Sequence, residues 1–168
     1  NVTQMGEMFY QCTSLINLNL SNFYTNLLTN MTRMFYQCFS LSNLNLEHFD
    51  TSNVESMDYL FYECKSITNL NLESFNTNNA VKMEYMFYSC IKLEKLNLEN
   101  FRIIKVTNME NMFAFCSSMN SIEFPKFINP SVTNMKGMFQ SCSNFTSLKL
   151  SNFNVQNVVT MEYMFKNC

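Results

Sequence analysis

Residues 48–72 read HFDTSNVESMDYLFYECKSITNLNL, and two hydrophobic rhythms alternate within them. In the first rhythm, apolar residues follow one another in steps of three, three, one and three. Its members are Val54, Met57, Leu60, Phe61 and Cys64. This spacing is typical of one face of a helix of about two turns, so we expect a short helix here.

The second rhythm closes the same stretch, where Leu70 and Leu72 are separated by a single residue. Alternate side chains of a strand point to the same side of a sheet. The triplet Ile67, Leu70 and Leu72 therefore predicts a short strand whose leucines face a core, with the asparagines between and beside them facing outward.

The same pattern returns every 26 residues with no insertion or deletion. It produces columns of cysteine, phenylalanine and methionine. These are Cys12, Cys38, Cys64, Cys90, Cys116, Cys142 and Cys168; Phe9, Phe35, Phe61, Phe87, Phe113, Phe139 and Phe165; and Met5, Met31, Met57, Met83, Met109, Met135 and Met161. One coil cannot bury its apolar face alone, but stacked coils cover one another.

We therefore expect residues 1–168 to form a single repeat domain of about six and a half repeats, an α/β solenoid. Each repeat of this right-handed, leucine-rich-repeat-type coil would supply one short parallel strand and one short helix. In-register stacking would place equivalent residues about 4.8 Å apart. Since the chain begins inside one repeat and ends at the cysteine of another, we expect an uncapped excerpt of a longer array.

This unit resembles the repeat of the BspA-like surface-protein family. The matching residues are 48–54 (HFDTSNV), Met57, Phe61, Cys64, Ile67, Leu70 and Leu72, and the match extends over essentially the whole chain. The resemblance implies an extracellular, often very long repeat protein used in adhesion or surface coating. His48 stands where the family usually has Asn, and the family's usual glycines near the helix are mostly Tyr, Glu or Asn here. These departures bear on species and partner, not on the fold.

The charge and composition argue against several classes of function. The net charge is −2 without a basic run, so we expect no nucleic-acid partner. No segment approaches the roughly 20 consecutive apolar residues of a membrane span. With one His and no glycine-rich phosphate loop, we expect no enzyme, catalytic residue, metal ligand or cofactor. The chain has 26 Asn but two Gly and two Pro, so it must turn its corners without the usual turn residues.

The cysteine and acidic columns have structural interpretations. Stacked thiols about 4.8 Å apart exceed the roughly 3.5–4.5 Å between the Cβ atoms of a disulfide. We therefore expect a ladder of reduced, buried thiols, with an end-to-end link through Cys168 as the alternative. A second column consists of Asp58, Glu84, Glu110 and Glu162. It lies near the predicted helix start, where negative charge suits the helix dipole.

Polar residues of the predicted strands form the candidate binding face, on the concave side of the coil. They are Asn17, Asn19, Asn43, Asn45, Asn69, Asn71, Glu94, Lys95 and Asn97. The amides either hydrogen-bond along the stack and complete the outer face of the sheet, or they form a polar platform for a ligand. Both interpretations stay open.

Two further sets are candidates. Ile103, Ile104 and Ile128 break the polar pattern of the loop after the strand, and they form either a lateral contact surface or a local packing cluster. Asn1, Asn30 and Asn144 begin N-glycosylation sequons, in a number that chance alone would give.

Two functions remain. The first is an extracellular cell-surface repeat protein that binds protein or glycan ligands in the manner of an adhesin. The alternative is a structural subunit of a filament or surface coat, assembled by end-to-end stacking of repeats.

Overall fold

The computed structural model describes residues 1–124, 131–151 and 153–168, which form a stack of coils. One residue of each coil pairs in parallel with its equivalent in the next coil. This column is Gln4, Asn30, Ser56, Lys82, Asn108, Asn134 and Thr160. Because every pairing joins residues 26 positions apart, the expected in-register stacking is confirmed.

Four short strands are present in the described residues: β1 (Asn17–Asn19), β2 (Asn43–Asn45), β3 (Lys95–Asn97) and β4 (Ser121–Glu123). β1 pairs with β2 and β3 pairs with β4, both in parallel. The central residue of each strand turns inward and its neighbours are exposed. Residues 69–71 and 147–149 occupy the same position in their repeats without forming a strand, so the prediction of one strand per repeat holds only in part.

The predicted α/β class, with one short helix per repeat, is wrong, since the described residues contain no helix. A chain of tight turns occupies the predicted position. Every second backbone N–H donates to the carbonyl three residues earlier, as from Met34 to Met31 (3.1 Å) and from Cys38 to Phe35 (3.2 Å). The N–H groups between them donate to the next coil, as from Phe35 to Leu60 (3.0 Å).

The backbone angles explain why a helix does not form. The third residue of two turns in each coil has positive φ, as in Tyr59 (57°) and Glu63 (55°), the signature of a type II turn. A left-handed residue cannot continue a right-handed helix. A helix would also use its interior N–H groups within itself, whereas here half of them tie neighbouring coils together.

The core consists of the apolar columns, which lie directly over one another. Phe35, Phe61 and Phe87 are fully buried, and successive ring centroids are 5.4 and 5.5 Å apart in parallel stacks. Methionine, leucine and cysteine columns fill the remaining interior. Each fully buried Phe, Leu or Met side chain stabilises the coil by roughly 1.5–3 kcal/mol of transfer free energy.

Asparagine and aspartate form the corners that glycine and proline form in other proteins. Their side-chain oxygens accept a hydrogen bond from the backbone N–H two residues later, as from Glu47 to Asn45 at 2.9 Å. Three columns do this: Asn19, Asn45, Asn71 and Asn97; Asp50, Asn76 and Asn154; and Asn30, Asn108 and Asn134. Such Asx turns mimic a backbone turn, which accounts for the abundance of Asn.

Candidate binding surfaces

The exposed face of the first strands borders an open groove of about 610 Å³. Its lining is Asn17, Leu18, Asn19, Ser42, Asn43, Leu44, Asn45, Thr68, Asn69 and Asn71. The register of β1 and β2 places Asn17 beside Asn43 and Asn19 beside Asn45. The structure thus brings together the six asparagines of the first three coils that the sequence singled out.

The two asparagine columns of this groove have different structural roles. Asn45 and Asn71 hold the corners that end their strand segments, so their carbonyl oxygens are occupied. In the other column, the Asn43 amide donates to the Asn17 oxygen at 2.6 Å. Within the described part of the chain, the Asn69 amide has no protein partner. The expected amide ladder is therefore limited to one hydrogen bond, and polar atoms remain open to the groove.

The charged residues of the candidate face lie farther along the stack. Lys95 and Asn97 line a smaller groove of about 220 Å³ together with Asn69 and Asn71. Glu94 is exposed beside them, and its carbonyl accepts the N–H of Asn120 at 2.9 Å. A polar surface therefore continues from β1 past β3, with charge introduced at the later coils.

The three isoleucines have different environments. Ile103 is 5% exposed and belongs to the core, whereas Ile104 is 50% exposed; Ile128 lies outside the described residues. Ile103 takes the column of Thr51 and Thr77, whose buried hydroxyls bond peptide groups of the next coil. The position is therefore buried in each of these coils, and Ile103 fills it without needing such a bond.

The sequon asparagines also differ in exposure. Asn1 and Asn144 are exposed, and Asn30 is partly buried. The Asn30 oxygen accepts the N–H of Thr32 at 2.8 Å, so this residue has a structural role in its corner.

The cysteine column has a definite hydrogen-bonding role. Each thiol from Cys38 onward donates to a phenylalanine carbonyl of the preceding coil, as from Cys64 to Phe35 at 3.1 Å. The others are Cys38, Cys90, Cys116, Cys142 and Cys168, at 2.9–3.1 Å. The cysteines are free. Burial raises the pKa of Cys38 to about 11 and holds that of Cys90 well above its ordinary value, so these thiols stay protonated.

Further chemical features are sparse in the described residues. No group of three or more His, Cys, Asp or Glu side chains is arranged to hold a metal ion within the described ranges. Among those same residues, no helix is long and apolar enough to cross a membrane. The dipole explanation for the column containing Asp58, Glu84 and Glu110 fails, because no helix begins there.

Two columns of surface tyrosine are absent from the sequence predictions. The first is Tyr10, Tyr36, Tyr62 and Tyr88, whose successive ring centroids are 4.9, 4.6 and 4.7 Å apart. The second is Tyr59 and Tyr85, stacked at 4.8 Å. We call these six residues the tyrosine array. The 26-residue step of the first column is visible in the sequence and was the available signal.

Comparison with known proteins identifies a similar solved structure and a matching family. The crystal structure of a leucine-rich repeat protein of T. pallidum (TpLRR) is similar to this chain, with a TM-score of 0.55 and 17% sequence identity. The alignment covers 87% of this chain and 72% of that one. At this identity the similarity supports a leucine-rich-repeat-like fold alone. No curated protein matches the chain.

A family model described as "Mycoplasma protein of unknown function, DUF285" matches residues 1–101, 40–127 and 82–168. The three overlapping matches extend over the entire chain. The expectation of a repeat protein of leucine-rich-repeat type is thereby supported, at a coarser level than the BspA-like resemblance. The chain belongs to the family described as Mycoplasma protein of unknown function, DUF285.

Proposed function

We propose that the chain is an extracellular, non-enzymatic surface protein of the BspA-like kind, which binds a protein or glycan ligand along the asparagine-lined groove. The observation that carries the proposal is the row of amide side chains on Asn17, Asn43 and Asn69: Asn17 and Asn43 share one hydrogen bond, and their remaining polar atoms and the Asn69 amide face the groove. Amides both donate and accept hydrogen bonds. They therefore complement the hydroxyl groups of a glycan or the backbone of a protein without a net charge.

Repetition supplies the strength that one amide lacks. A single hydrogen bond contributes only about 0.5–1.5 kcal/mol net, and association itself carries an entropic cost. Three coils present the same group at a fixed spacing in a groove of about 610 Å³. A ligand with repeated polar groups gains several of these bonds at once, from a surface that is already ordered.

The test separates ligand contacts from corner-forming contacts. The triple variant Asn17→Ala, Asn43→Ala and Asn69→Ala removes groove amides but leaves the Asx turns intact. Asn78→Ala is the control, because its exposed side chain lies in a loop outside the groove. Binding is measured on an oligosaccharide array and on immobilised extracellular-matrix proteins.

We expect the unaltered chain and the control to bind at least one of these probes, and the triple variant to bind roughly tenfold more weakly, or about 1.4 kcal/mol. Equal binding by the triple variant would refute the groove as the site. Failure of every probe would count against the binding function itself. Protease treatment of intact cells should remove the protein if it lies at the surface.

The filament or coat function is a second candidate, favoured by the axial hydrogen bonds. The same set of donors and acceptors recurs at each coil, so a stacked copy in register would extend the ladder. Negative-stain imaging of the purified chain distinguishes the two: fibres that lengthen with concentration favour the polymer, and single short rods favour the binding module.

A further inference from the structure

The tyrosine array is a rigid surface separate from the asparagine groove. Within each column the rings are parallel to within 7°. Between the columns they are tilted, as in Tyr59 against Tyr62 (5.7 Å, 47°) and Tyr85 against Tyr88 (5.6 Å, 48°). Each ring holds its neighbours, so the surface is ordered before any partner arrives. Tyrosine offers large amphipathic contact area with little conformational entropy to lose.

The rings remain accessible despite this packing. Tyr10 is 40% exposed, and the other five members are partly buried. Tyr85 donates its hydroxyl to Glu110 at 3.2 Å. Among the described residues, the hydroxyls of Tyr36, Tyr62 and Tyr88 have no protein partner. Partly exposed tyrosine rings with open hydroxyls, clustered on one surface, are typical of a protein recognition surface.

Negative charge lies next to the array. Asp58 and Glu84 directly precede Tyr59 and Tyr85 in the chain, and Glu110 bonds Tyr85. We call Asp58, Glu84 and Glu110 the acidic column. None of the three forms an ion pair within the described residues, whereas Glu7 pairs with Arg33 and Glu63 pairs with Lys65, both at 3.2 Å. Burial raises the pKa of Glu84, and the nearby Asp58 carboxylate adds to the rise, which Lys82 partly offsets.

The chain itself provides an example of a cation on this array. The guanidinium carbon of Arg33 lies 5.3 Å from the centre of the Tyr59 ring. That distance is within the range of a cation–π interaction. Arg33 stands 26 residues before Tyr59 and so covers the end of the Tyr59–Tyr85 stack, where it also pairs with Glu7.

We propose that the tyrosine array and the acidic column together bind an arginine-bearing polypeptide segment. Guanidinium groups pair with the carboxylates and pack against the tyrosine rings, and the open hydroxyls accept hydrogen bonds from the segment. This surface is independent of the asparagine groove and of any ligand bound there.

The spacing of the coils specifies the segment further. Asp58 and Glu110 are two coils apart, or about 10 Å at roughly 4.8 Å per coil. A polyproline II chain rises about 3.1 Å per residue with three residues per turn. Arginines three residues apart in such a chain are about 9 Å apart on one side. An extended, proline-rich segment with arginine at every third position matches this spacing.

The probe is a peptide of three Arg-Pro-Pro units, measured by isothermal titration at low and at physiological salt. Its matched control replaces each arginine with citrulline, which keeps the shape and removes the charge. We expect binding of the arginine peptide, weaker at higher salt because exposed charges are screened. We expect the citrulline peptide to bind at least roughly tenfold more weakly.

Two protein variants assign the site. The variant Asp58→Asn, Glu84→Gln and Glu110→Gln removes three charges from the acidic column and should weaken binding roughly tenfold. The control removes three charges elsewhere, as Glu47→Gln, Glu73→Gln and Glu99→Gln, and should bind as the unaltered chain does. Those three glutamates are exposed beyond the strand segments.

The array itself is tested with Tyr36→Phe and Tyr62→Phe, which keep the stacked rings and remove the open hydroxyls. We expect a several-fold loss of affinity with an unchanged thermal unfolding midpoint. The proposal is overturned if the arginine peptide does not bind, if citrulline binds as well, or if both charge variants lose binding equally. Binding of neutral oligosaccharides to the array in place of the peptide would also overturn it.

Discussion

Serine occupies a left-handed position in two of the coil's turns, and glycine should be better there. Ser89 has φ of 57° and Ser141 has φ of 60°. Each is the third residue of a turn closed by a cysteine N–H, from Cys90 to Phe87 and from Cys142 to Phe139, both at 3.2 Å. Their hydroxyls make no hydrogen bond within the described residues, so Ser89→Gly and Ser141→Gly remove only the strain of the Cβ atom.

The magnitude follows from two opposing terms. A left-handed conformation costs an L-residue roughly 1–2 kcal/mol, and glycine removes that cost. Glycine also gives the unfolded chain more freedom, which offsets roughly 0.5–1 kcal/mol. The net gain is about 0.5–1 kcal/mol per site. The two sites are in separate coils and should be nearly additive, so the double variant should unfold roughly 2–8 °C higher.

Urea denaturation and thermal unfolding, followed by circular dichroism, measure this gain. Ser89→Ala is the matched control, because it removes the hydroxyl and keeps the strained Cβ atom. Ser66→Gly is the second control: Ser66 lacks a positive φ, so glycine there should destabilise by about 0.4–1 kcal/mol. If Ser89→Gly is no more stable than Ser89→Ala, left-handed strain does not explain the cost of these turns.

Three other perturbations test separate parts of the structure. Gly137→Ala should destabilise by about 1–2 kcal/mol by urea denaturation, because Gly137 has φ of 60° and an added Cβ atom would collide with the Asn111 side chain; the same change should cost less in an Asn111→Gly background. The folded chain keeps protons on Cys38, whose pKa rises from 9.0 to about 11, so the stability from this group is full below pH 9 and is lost as the pH rises toward 11. Unfolding free energies measured across that range should fall, and less steeply in Cys38→Ala. Asn45→Ala removes a corner bond of 2.9 Å and should cost about 0.5–1.5 kcal/mol, whereas Asn78→Ala should change the unfolding midpoint little.

The period and register could be predicted from the sequence because every coil repeats the same inward residues. Phe35, Phe61 and Phe87 stack as the column predicts. The absence of the predicted helix, in contrast, could not be deduced from the repeating apolar residues. Steps of three, three, one and three satisfy both a helix and a chain of turns, since each brings apolar side chains to one side. Backbone φ and the destination of each N–H decide between them, and neither is visible in a pattern of apolar residues.

The binding surfaces were predictable to a smaller extent. The sequence placed Asn43 and Asn45 together on an exposed strand, and the structure agrees. The sequence did not distinguish their roles, because the same residue type both forms a corner and faces the groove. The abundance of Asn beside two Gly and two Pro was the available signal for corners. For the tyrosine array, the signal was the 26-residue step from Tyr36 to Tyr62 and Tyr88.

The repeating scaffold separates the residues that hold the fold from those free to vary. The inward columns keep Phe and Cys at every coil, while one outward column at positive φ contains Arg33, Tyr59, Asn111 and Gly137. These side chains differ in size and charge although the backbone around them keeps one conformation. The backbone hydrogen bonds between coils therefore do not depend on the outward residue. A surface column can change along the stack from aromatic to polar without disturbing the interior, so a surface of one composition extends over only a few coils.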